Sequence, residues 1–196
     1  MDFKKLSKYA GLFAEQGNFD IPENYNLGIA WQTTPAIKLA LDYQRINYSK
    51  INAVGNQVLP NFNNGLGASN GPGFGWDDMD IWKLGAEYKS SANLTLRAGY
   101  SHTDSPIKGD LTCATLTNCA EATFNILAPA VVEDHVTLGF TYKLMSGDEV
   151  TMAYMHAFEN SVSGVRPGAF NKGTAGSIDT IKMYQNSLGV AYSWKM

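Results

Sequence analysis

Glu133, Asp134 and His135 stand side by side in the chain, and Ser101 falls on a neighbouring segment. A hydroxyl, an imidazole and a carboxylate held in line would make a nucleophile, its base and the group that orients the base. That arrangement points to a hydrolase. The same residues also suit a solvated strand end, hydrogen-bonded to its neighbours, and this second reading is preferred. Asp77, Asp78 and Asp80 in GWDDMD offer oxygen ligands for calcium, but they lack EF-hand spacing and read better as a loop that caps a strand. His102, His135 and His156 form neither an H-x-x-H nor an H-E-x-x-H pair, and Cys113 and Cys119 lack zinc spacing. No catalytic residue, metal ligand or cofactor is therefore assigned.

The elements that must position these residues follow from hydrophobic periodicity. Seven segments alternate with period 2, at about 24–32, 36–49, 80–89, 93–104, 132–144, 149–159 and 183–196. One face is apolar and aromatic, as in Tyr25, Leu27, Ile29 and Trp31, or Leu188, Val190, Tyr192 and Trp194. The other is small and polar, as in Thr95, Arg97, Gly99 and Ser101. No segment has helical periodicity, and residues 1–20 read as irregular with one helical turn.

The connections alternate between two kinds. TTP, SSAN and MSGD are tight turns; 50–79, 105–131 and 160–182 are long and rich in Gly, Asn, Ser and Pro. All tight turns thus fall at one end of the sheet and all long loops at the other, the layout of an antiparallel transmembrane β-barrel. The aromatic residues agree. Trp31, Tyr88, Tyr142, Tyr192 and Trp194 lie at the tight-turn end; Tyr25, Tyr43, Trp82, Tyr100, Phe158 and Tyr184 lie at the other, with aliphatic residues between. Amphipathic rings settle at the two levels of a bilayer's headgroups. The 17% charged fraction and net charge of −3, with no basic stripe, make nucleic acid an unsuitable partner. No run of about 18 apolar residues is present to make a membrane helix.

In such barrels the last strand carries terminal aromatic residues, so Tyr192, Trp194 and Met196 are read as a C-terminal assembly signal, with Met196 where Phe is usual. Single-chain bacterial barrels have even strand numbers. Seven strands, an opening without an apolar leader core and a first strand that starts at the loop end predict a C-terminal half. Residues 1–23 are then an extracellular loop remnant and 24–196 the barrel part, from which the signal peptide and N-terminal half are absent. The compartment is the outer membrane of a Gram-negative bacterium. An oxidising exterior makes Cys113 and Cys119 a disulfide candidate, with two free thiols as the other reading.

The runs GPGFGWDDMDIWKLGAEYKSSANLTLRAGYSHTDSPI, GLFAEQGNFDIPENYNLGIAWQTTPAIKLALDYQRINYS, VEDHVTLGFTYKL and VTMAYMHA resemble the FadL/TodX outer-membrane transporters of long-chain fatty acids and aromatic hydrocarbons. The resemblance implies a 14-stranded barrel, of which these are about seven C-terminal strands, a lumen plugged by an N-terminal hatch, and passive uptake of hydrophobic molecules. It also implies contact with outer-membrane lipid and lipopolysaccharide, and assembly by the barrel-assembly machinery. The family's cation ahead of the WDDMD strand has no counterpart in Asn70–Trp76, which leaves a hydrocarbon ligand open. Ile46, Tyr48, Ile81 and Met155 break the polar inner pattern and are read as an apolar ligand path. Lys83 and Arg97 are lumenal cations that pair across strands or meet a ligand carboxylate. An outer-membrane lipid hydrolase and a structural or adhesive barrel are the alternatives.

Overall fold

The computed structural model describes residues 11, 13–59, 61–111, 120–168 and 177–194. Seven strands, β1 (Asn24–Gln32), β2 (Ile37–Ile46), β3 (Met79–Lys89), β4 (Leu94–Thr103), β5 (Asp134–Lys143), β6 (Glu149–Val165) and β7 (Ile178–Ser193), form one sheet in chain order. Every neighbouring pair is antiparallel. Two one-turn helices, α1 (Asn52–Gly55) and α2 (Glu121–Phe124), lie in the long connections. No helix among the described residues is long and apolar enough to cross a membrane.

Hydroxyl side chains close the first two tight turns. Thr34 Oγ1 accepts the Ile37 N–H at 3.0 Å, and Ser91 Oγ accepts the Leu94 N–H at 3.1 Å. Gly147 supplies the left-handed backbone, φ 92°, in the third. These turns set the register, and register sets which side chain meets which face.

One face carries Leu27, Tyr43, Trp82, Leu84, Leu138, Tyr154, Leu188 and Val190, and no other described residue covers it. Leu27 is 76% exposed, Leu188 67% and Val190 66%. A contiguous apolar band of this extent is far beyond the patches that water-soluble monomers tolerate. The long connections fold instead onto the opposite, small-residue face. There Ile107, Val131 and Ile181 form a buried cluster with Trp76, Val162 and Met183 packed around it. We call the covered side the inner face and the bare side the outer face.

β6 and β7 extend beyond their expected ends, to Val165 paired with Ile178. The expected loop 160–182 therefore contracts to 166–177. A bulge explains why the pattern was hidden: three steps along β6, Ala157 to Asn160, oppose two along β7, Gln185 to Met183. The extra residue breaks the alternation, and beyond it Val162 and Ile181 turn onto the inner cluster.

Candidate functional site

Six aromatic rings from four separate stretches meet at the loop end of the sheet. Phe13 stacks on Phe74 with centroids 4.8 Å apart, and meets Phe19 at 5.1 Å and Phe124 at 5.6 Å. Phe74 reaches Phe124 at 5.5 Å and Trp76 at 6.2 Å, and Trp76 meets Tyr48 edge-on at 5.1 Å. All six are half-buried. Rings at these separations attract one another beyond the area they bury, yet each keeps apolar surface open. Trp76 is fixed by its Nε1–H, which donates to Asn125 Oδ1 at 2.6 Å, and by its contact with the inner cluster.

Beneath the rings the inner wall continues with Ile46 and Ile81. These are diagonal neighbours, since Ile46 pairs with Met79 and Gln44 with Ile81. Tyr48 lies past the end of β2 rather than on the strand expected to run to 49. The buried Asn47 turns the chain and donates its backbone N–H to Glu23 O at 2.9 Å, and Tyr48–Lys50 is a 3-10 turn. Tyr48 thus joins the ring cluster instead of the wall. Met155 is on the inner face but pairs with Thr137 and Ser187, three strands from Ile81, or about 14 Å by interstrand spacing. The structure sets Ile46 and Ile81 side by side, sends Tyr48 among the rings and leaves Met155 apart.

The inner cations differ in their partners. Arg97 Nε donates to Glu87 at 2.9 Å and Nη1 to Thr141 at 2.7 Å, whereas Lys83 Nζ donates to the neutral Gln44 at 2.9 Å. Tyr192 and Trp194 lie at the tight-turn end, where the Tyr192 hydroxyl donates to Asp148 at 2.7 Å. Cys113, Cys119 and Met196 lie outside the described residues.

Register separates the hydrolase-like residues. Ser101 pairs with His135 on the inner face. Asp134 points outward and accepts from Tyr100 at 2.5 Å, with His102 Nδ1 at 2.8 Å. It is thereby removed from His135. Glu133 caps the Ser105 N–H at 3.0 Å. The three aspartates likewise diverge: Asp78 and Asp80 share Arg45 at 3.0 and 2.8 Å, while Asp77 faces Lys108 at 3.8 Å.

Glu121, at the start of α2, went unread in the sequence. Its side chain is fully buried. Oε1 accepts the Val58 N–H at 3.1 Å, and Oε2 has no partner among the described residues. Burial pushes its pKa up to about 7. Gly75, at φ 68°, lets the chain pass; a Cβ there would meet Glu121 Cγ at 2.5 Å. The ring cluster was missed for a related reason. Its members come from irregular connections, where no periodicity marks a side chain's direction; the only cue was the density of Phe, Gly and Trp in GPGFGW.

No curated protein matches the chain. Among solved structures, the toluene transporter TodX of Pseudomonas putida shares 20% identity at a TM-score of 0.56, over 90% of this chain and 35% of that one. The toluene transporter TbuX of Ralstonia pickettii gives 18% and 0.52, over 91% and 34%. A FadL homologue of Pseudomonas aeruginosa gives 15% and 0.51, over 88% and 34%. The chain therefore spans about a third of the length of each, and these likenesses establish the fold. The sequence profile of the outer membrane protein transport proteins (OMPP1/FadL/TodX) matches residues 13–192. With that match running through all seven strands and the loops that carry the rings, the chain belongs to the OMPP1/FadL/TodX family of outer-membrane transport proteins.

Proposed function

We propose that the chain is part of a Gram-negative outer-membrane channel that admits neutral, preferably aromatic, hydrophobic small molecules without covalent chemistry. The strands close, with others, into the 14-stranded barrel implied by the resemblance. The outer band of Leu27, Leu84, Leu138 and Leu188 faces lipid tails, and lipopolysaccharide meets the loop end. Tyr192, Trp194 and Met196 address the assembly machinery, and Cys113 and Cys119 join in a disulfide.

The observation that carries this reading is the set of six half-buried rings at the loop end of the sheet, the end at which Ile46 and Ile81 also face inward. Flat apolar faces at such spacing bind ligands through area removed from water. A neutral ligand is preferred because cations near the rings, among the described residues, are engaged: Lys50 with Glu23, Arg45 at the end of β2 with Asp78 and Asp80, and Lys108 with Asp77. A buried acid, Glu121, lies beside the rings instead. TodX and TbuX are themselves toluene transporters.

The test is mass spectrometry of small molecules that co-purify with the gene product in detergent, before and after delipidation. Toluene should then rebind stoichiometrically, and Phe74→Ala should weaken that binding about tenfold, the loss of one well-packed ring contact. Retention of fatty acids alone would move the ligand class to carboxylates. An empty barrel that conducts ions freely would make it a general porin.

A further inference from the structure

Glu121 joins three parts of the loop layer over the inner face. Its own helix, α2, is tied to the sheet, because Thr123 Oγ1 donates to Asp179 at 2.6 Å and Arg166 Nε donates to the same carboxylate at 2.9 Å. Its Oε1 holds the Val58 N–H from the β2–β3 connection. Its Cγ packs on Gly75, next to Phe74 and Trp76 of the ring cluster. The segment around Gly75 is in turn laced to α1: the Gly75 N–H donates to Asn56 O at 2.9 Å and the Trp76 N–H to Val54 O at 3.0 Å. This burial is complete within the chain itself.

A carboxyl so placed is tolerated when neutral. Ionised, it would leave a charged oxygen, Oε2, buried without a donor. The surrounding charges worsen that state. Asp77 and Asp110 both act against ionisation of Glu121. Lys108 is turned to Asp77, and Arg166 to Asp179 on the β6–β7 side. On the N-terminal side Glu15 is engaged with Asn52 at 2.7 Å. Among the described residues no cation pairs with Glu121.

We propose that Glu121 is a protonation latch on the ligand entrance: neutral, it pins the β2–β3 connection to α2 and keeps the rings packed; ionised, it releases them. The inference rests on the reading of the ring cluster as the place where ligand binds, and takes that place, at the loop end, as the entrance. The sign follows from linkage. A carboxyl whose folded-state pKa is raised contributes its stabilisation below its ordinary value of 4.5 and loses it as pH rises through about 7.

Hydrogen exchange of the ligand-free gene product in detergent, corrected for intrinsic exchange, tests the latch directly. Protection of the Val58, Gly75 and Trp76 amides should fall about tenfold per pH unit between 4.5 and 7 and level off above. Amides of β3 and β4 should not change. Glu121→Gln should hold the low-pH protection at pH 8, because Gln keeps the acceptor for Val58 and cannot ionise. A flat profile in the native protein overturns the proposal by itself, as does an undiminished pH dependence in the variant. Neither outcome touches toluene binding, so the latch and the uptake reading fail separately.

Discussion

At the residue scale the loop layer depends on a few polar anchors. Asn125 is fully buried, and among the described residues its side-chain oxygen accepts from Trp76 alone, while its amide donates to Phe74 O at 2.7 Å and Glu121 O at 2.9 Å. Trp76→Phe keeps a ring but removes that donor. Local stability of the β4–β5 connection should drop by about 1–3 kcal/mol, the usual cost of a buried acceptor left alone, measurable by exchange of the Phe124 amide. Glu23 behaves in the opposite sense from Glu121. Lys50, at 2.6 Å, with Tyr25 and Asn47, holds its pKa down to about 2. That contribution is present above the ordinary carboxylate value and lost as pH falls through about 2. Lys50→Met should move the carboxyl titration, followed by carbon NMR, back toward 4.5; an unmoved titration would leave Tyr25 and Asn47 as sufficient. Few of these anchors were legible in the sequence. Ile46 and Ile81 were, because they sit on strands and strand parity fixes their side. Tyr48 was not: the alternation was read as running to 49, but β2 ends at Ile46, and the turn at Asn47 sends Tyr48 among the rings.

At the scale of elements the reading was far more complete. β1 spans Asn24–Gln32 as the alternation predicts, and β3, β4 and β5 fall within two residues of expectation. Period 2 is written by one bare apolar face and one small polar face, so it survives without knowledge of the loops. It failed at β6 and β7, where the bulge inserts a phase slip. Deleting Glu159 should remove that slip. Residues 160–165 would then keep their present partners on β7 in plain alternation, Val162 would stay against Ile107 and Val131, and exchange protection of the Ile107 amide should be retained; its loss would contradict the bulge. The outer face makes a second prediction. Leu84 lies mid-band and 55% exposed. Leu84→Arg should cost about 2–4 kcal/mol of folding into lipid vesicles. Lys83→Gln, one residue away on the inner face, should cost far less, and equal losses would contradict the assignment of faces.

At the scale of the whole molecule, the odd number of strands among the described residues constrains how the proposed barrel could close. β1 descends from the loop end to the turn end, and so does β7, because six reversals restore the starting direction. Both free edges therefore point the same way. Two copies of this sheet with their loop ends on one side of a membrane would meet along parallel seams, foreign to barrels built wholly from antiparallel neighbours. A covalent tandem repeat fares no better, because its joint would have to travel from the turn end of β7 back across the bilayer to the loop end of the next β1. The unit is three hairpins and a half. Duplicating hairpins adds strands two at a time, so copies of this unit would not build the proposed barrel of antiparallel neighbours. On that proposal the remaining strands are odd in number as well.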